Sequence, residues 1–182
     1  MRAIIDAIEF KRLVNGTKRF TGITSNKASE YIYLEIDAEN KIIKASACEG
    51  HEISIEYAKH LKEVDVSFKC FIKPNIPKIC NSDRNVEIEL VDKKAYITVN
   101  ENITGYKQPE QEFFKIDKLV KDTLENEITA SICVDARLLK NALASIKTGW
   151  DKSCDIEIRG KDKPIIIRTG EDNIKLVLPM RR

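Results

Sequence analysis

RAIIDAIEFKRLVNGTKRF, residues 2–20, sets the pattern of the whole chain. Arg2 to Ala7 reads as a short strand and Glu9 to Phe20 as an amphipathic helix. Three β-rich runs follow: EYIYLEID (30–37), KIIKASA (41–47) and EISIEYA (52–58). Turn formers such as Asn40 and Gly50 bound them. The order then recurs. VDVSFKCF (64–71) is a strand, a short helix is expected near Asn75 to Asn81, and NVEIELV, AYITVN and NITGYK supply the next three strands, at a period of about sixty residues. A third copy follows a polar connector: ITASICV (128–134), the helix DARLLKNALASIK (135–147), and the strands CDIEIRG, PIIIRT and NIKLVLPM.

Three β-α-β-β-β units define an α+β fold with antiparallel sheets and helices on one face. Alternation in EIEL and AYITV marks strands with one face on a core. Residues 1–107 are expected to form a complete domain of two units, 108–126 a connector, and 127–182 a half domain. Two units can share one pair of sheets, but a third leaves a sheet without an internal partner. Pairing between chains, and so a homo-oligomer, or a covered edge is the expectation.

At 42% apolar and 33% charged, the 182 residues describe a globular protein with no apolar run near the roughly 20 residues that span a bilayer. Asp6 would fall inside the apolar segment of any signal peptide, which points to the cytoplasm. The five cysteines are widely spaced without a CxxC pair, so neither a disulfide framework nor a thiolate zinc site is expected, and they read as reduced core residues. No cofactor or metal is implied.

A net charge of +2 does not announce nucleic-acid binding; placement of the charge matters more. At about 100° per residue, Phe10, Leu13, Val14 and Thr17 share one side of the first helix, opposite Lys11, Arg12, Lys18 and Arg19. In the third unit's helix Leu138, Leu139, Ala142, Leu143 and Ile146 form the expected buried stripe, with Arg137, Lys140 and Lys147 pointing away. Lys73 and Lys78 are the charges of the middle helix. Lysines commonly decorate a solvated helix face, which is the plain alternative. Recurrence on three helices favours a face that meets DNA phosphates without reading sequence.

The ending NIKLVLPMRR resembles the strand and Met-Pro-Met-Arg tail of bacterial DNA sliding clamps, the DNA polymerase III beta subunits. DARLLKNALASI is similar to the clamp helix Asn-Ala-Arg-Tyr-Leu-Leu-Asp-Ala-Leu, and a Pro-Ile-Ile-Ile strand lies between the two. Earlier, IEFKRLVNGTKRF resembles the opening helix of the clamp's middle domain, ASACEGHEISI its Ala-Thr-Asp-Gly-His-Arg-Leu segment, and NITGYKQPEQEFF its end. The resemblance covers nearly all of the chain. It implies a clamp-like fold cut to the middle domain plus the last half domain.

It also implies a non-catalytic processivity scaffold for replication or repair, with a hydrophobic groove for short peptide motifs carried by DNA polymerases and other clamp-binding proteins. Carried over by position, the groove comprises Gly50, His51, Ile53 and Pro109 from the first domain. The half domain adds Leu138, Pro164, Leu176, Val177, Leu178, Pro179, Met180 and Arg181. An apolar floor of Leu, Val, Pro and adaptable Met suits several related peptides. Cys48, Glu52 and Leu138 depart from the Thr, Arg and Tyr common in the family, which alters partner preference. The alternative function is a decoy or regulator that engages clamp partners, or a host clamp, without encircling DNA. Cys48 and His51 could be read as a nucleophile and base, but no orienting acid or oxyanion loop accompanies them. His60 is expected at the surface and Trp150 in the core.

Overall fold

Asp6 begins the first helix because its carboxylate accepts the backbone N–H groups of Ile8 and Glu9, two of the donors every helix start leaves free. In this computed structural model, which describes residues 1–144, 153–169 and 173–180, strand β1 (Arg2–Asp6) runs into α1 (Ala7–Thr17). A single 3₁₀ turn, Lys18–Phe20, extends the helix. Phe10, Leu13, Val14 and Thr17 are buried as the periodicity requires. The remaining strands of this part are β2 (Ile32–Asp37), β3 (Ile42–Cys48), β4 (Ile53–Lys59), β5 (Glu63–Val64), β6 (Phe68–Ile72), β7 (Asn85–Val91), β8 (Lys94–Val99) and β9 (Asn102–Lys107).

They form two antiparallel sheets in the orders β5-β1-β7-β8-β9 and β4-β3-β2-β6. The strand order records an exchange. β1 leaves its own meander to pair with β7, and β6 leaves its own to pair with β2. One apolar core serves both sheets and α1, with Phe10, Leu13, Ile32, Leu34, Ile43, Ile88 and Ile97 all fully buried. Removing side chains of this size from water is the main favourable contribution to folding.

The helix expected near Asn75 to Asn81 is absent. Pro74 and Pro77 each lack an N–H and push the preceding residue out of helical geometry. An irregular segment replaces it, with side chains satisfying its backbone: Tyr106 Oη donates to Asn75 O at 3.0 Å and Lys11 Nζ to Ile79 O at 3.0 Å. Ile79 is buried and Ile76 packs on the core, so apolar contact survives where the helix does not.

The segment expected to be a plain connector also has structure. Gln108 donates from Nε2 to Phe71 O at 3.0 Å and accepts Phe71 N–H at Oε1 at 2.7 Å. Phe113 stacks on Tyr33 with centroids 4.8 Å apart, and Tyr33 meets Phe71 at 4.8 Å. Helix α2 (Ile116–Leu124) follows, and Lys44 bonds to both Glu35, at 2.8 Å, and Asp117.

Two compact units result, Met1–Leu119 and Val120–Arg182. In the second, α3 (Ala136–Ala144) starts at Asp135, whose carboxylate accepts the N–H groups of Arg137 and Leu138. Strands β10 (Asp155–Ile158), β11 (Ile165–Thr169) and β12 (Asn173–Val177) pair antiparallel in chain order. The strand expected over 128–134 is reduced to a bridge between Val134 and Pro179. Leu139 and Ala142 pack on Ile165, Ile167 and Val177, while Leu138 and Leu143, expected in the same buried stripe, are exposed. A three-stranded sheet is too narrow to cover the full apolar arc of a helix. Ile146, Lys147, Trp150 and Arg181 lie outside the described residues.

Candidate functional site

Gly50 sits at the turn between β3 and β4 with φ of +99°, a conformation that glycine adopts without strain. His51 and Glu52 are exposed beside it, and Ile53 opens β4 opposite Cys48. Pro109 follows the Gln108 clamp and helps line a hollow of about 350 Å³ with Lys27, Tyr31 and Gln108. Cys48 is buried while His51 faces solvent, an arrangement that does not present a thiol to a base. His60 is exposed at the end of β4, as expected. Cysteines do not all sit in cores: Cys48 and Cys70 are buried, but Cys80 is exposed. Burial pushes the Cys70 thiol up to about 12.

In the second unit the tail alternates as a strand must. Leu176, Leu178 and Met180 are 61%, 66% and 51% exposed. Val177, placed in the groove by position, is instead 3% exposed and packs on Ile165 and Ile167, because it falls on the opposite face of β12. Ile166 was missed. It stands directly opposite Leu176 in the β11–β12 register and extends the same apolar face. Its signal in PIIIRT was parity alone, unreadable until the register was known. Leu138 is exposed on α3, which covers the other face of the sheet. Pro164 is half-buried before β11, and Pro179 bridges to Val134. The predicted groove set is therefore divided between the two units, four positions in the first and the rest in the second.

The basic positions fare unevenly. Arg12 bonds to Glu9 at 3.0 Å, to Glu56 at 2.8 Å and to the carbonyl of Tyr57, and the Glu9 bond leads in raising its pKa. The face of α1 is thus not basic throughout, since Glu9 and Glu56 reach it. Lys11 is engaged by Ile79 O. Lys73 pairs with Glu30 at 3.2 Å and lies 5.0 Å from the Tyr31 ring centroid. Lys18, Arg19, Lys78, Arg137 and Lys140 are exposed, with Arg137 only 3.8 Å from Asp135. Among the described residues no cluster of three or more His, Cys, Asp or Glu side chains could hold a metal, and no helix is long and apolar enough to cross a membrane.

This chain has the fold of bacterial sliding clamps. A protein of Eubacterium rectale described as a DNA polymerase III beta subunit superposes with a TM-score of 0.74 at 17% identity, over 98% of this chain and 50% of that one. The Streptococcus pneumoniae DNA polymerase III beta chain gives 0.70 at 15% identity over 100% and 50%, and the C. crescentus beta sliding clamp 0.71 at 12% over 98% and 50%. The chain thus spans about half the length of these clamps. It matches no protein-family model and no curated protein sequence.

Proposed function

We propose that this protein is a non-catalytic, clamp-type scaffold that binds short peptide motifs of replication or repair proteins along its C-terminal strand. The observation that carries the reading is the row of exposed apolar side chains, Leu176, Leu178 and Met180, on a sliding-clamp fold. Ile166 opposite Leu176 widens that row, and an apolar strip beside a strand suits a peptide read by alternate side chains. DNA polymerases and other clamp-binding proteins are the partners in this reading. Exposed Lys18, Arg19, Lys78, Arg137 and Lys140 provide a non-specific contact to duplex DNA that weakens as salt rises.

Titration of a labelled clamp-binding peptide tests the groove. Saturable binding to wild type, with Met180→Ala weakening it about tenfold for the lost apolar contact, is expected. No saturable binding to wild type removes the assignment. One observation favours a second reading, a decoy or regulator that does not use DNA: Arg12, Lys11 and Lys73 are spent on intramolecular partners. Salt-sensitive retention on duplex DNA separates the two.

A further inference from the structure

The first unit shows how two copies of the repeat complete each other. The leading strand of the first copy, β1, lies on β7 with Ala3 opposite Ile88 and Ile5 opposite Val86. The leading strand of the second, β6, lies on β2 with Leu34 opposite Cys70. Each copy hands its leading strand to the other's meander.

The third copy can be matched to the first at two independent points. Asp135 caps α3 as Asp6 caps α1. Met180 N donates to Cys133 O at 2.8 Å, just as Lys62 N donates to Ile4 O at 2.8 Å. Cys133 therefore stands where Ile4 stands, Val134 where Ile5 stands, and Ile132 where Ala3 stands. One side of this leading segment is held by its own chain, as β5 holds one side of β1. Its other side, which β7 fills in the first unit, has no strand against it among the described residues.

The matching vacancy lies on β10. Among the described residues it pairs only with β11. Ile156 and Ile158 lie on the face that buries Ile165, Ile167 and Val177, yet they are 52% and 40% exposed. Leu34 and Ile88, on the strands that occupy the same place in the first unit, are at 0%.

We infer that the second unit closes on a second copy of itself, the leading segment 130–134 of each chain lying antiparallel on β10 of the other. Among its described residues the unit has one unseated strand and one empty seat. Two copies about a two-fold axis fill both at once, reciprocally, as the halves of the first unit do. The first unit already has both of its seats filled. The carried-over register sets Ile132 opposite the partner's Ile156, and Val134 opposite the partner's Cys154. This rests on the internal repeat and not on the peptide-groove reading, whose residues Leu176 and Ile166 lie on the other face of the sheet.

Analytical ultracentrifugation of the full chain at tens of micromolar should give twice the 20.8 kDa chain mass. Ile156→Lys, at a half-exposed position, should return it to the chain mass with its circular dichroism unchanged. Val134→Cys in a Cys133→Ser background should be captured as a covalent dimer by a short bifunctional thiol reagent, and replacing Cys154 with Ser should abolish the capture. This crosslink decides the matter should Ile156→Lys fail to fold. A wild type at the chain mass, or a dimer that survives Ile156→Lys without crosslinking, overturns the inference. Peptide binding by a monomeric wild type would leave the groove reading standing while this one fails.

Discussion

Gln108 does with one side-chain amide what a neighbouring strand would do, donating to and accepting from the backbone of Phe71 on the outer strand β6. Sheet edges with unpaired backbone groups invite association, and the Gln108 side chain protects one. Gln108→Ala leaves both backbone groups to water and should cost about 1–2 kcal/mol, read as a lower urea midpoint. Glu35 makes a different contribution. Its partial burial raises its pKa, but the hydrogen bonds from Lys44 and Lys69 outweigh this and hold it below the ordinary value of 4.5. A depressed folded-state pKa stabilises the fold above the unfolded value and withdraws that stability as pH falls through the folded one. Urea midpoints should therefore decline as pH drops below 4.5, and Glu35→Gln should flatten that decline while lowering stability at neutral pH. These residues could not be picked out in the sequence, because each acts through a partner distant along the chain.

At the scale of elements, legibility followed local chemistry. Helix α1 was readable because its start, its apolar stripe and its end are all local, and β7, β8 and β9 were readable from alternation. Asp6→Ala removes the cap and should cost about 1 kcal/mol, visible as faster amide exchange in the first turn of α1. The segment after β6 misled because its position in the repeat called for a helix, while Pro74 and Pro77 forbade one. Repetition records ancestry; the backbone obeys sterics. Position in the repeat misled again at 128–134, where a strand-like sequence has no full ladder to join. Strands, unlike helices, need a partner to satisfy their hydrogen bonds.

At the scale of the molecule, Met1–Leu119 and Val120–Arg182 differ in how completely they bury apolar surface. The first holds a core of fully buried Phe, Leu and Ile, and the second a small cluster around Ile167. Residues 121 to 131 are all exposed, with Glu125 and Glu127 among them. Brief digestion with a glutamate-specific protease should therefore cut there first and leave a fragment carrying the first core intact, identified by mass spectrometry. The α+β class, the clamp-like fold and the order of most strands were determined by the sequence alone, because periodicity and turn chemistry are local in the chain. Tertiary structure decided which meander each leading strand joins, which basic side chains are already engaged by acids, and that Val177 turns inward while Ile166 faces out. Those outcomes depend on strand register and on contacts between distant residues, and a register shift of one residue exchanges the two faces of a strand.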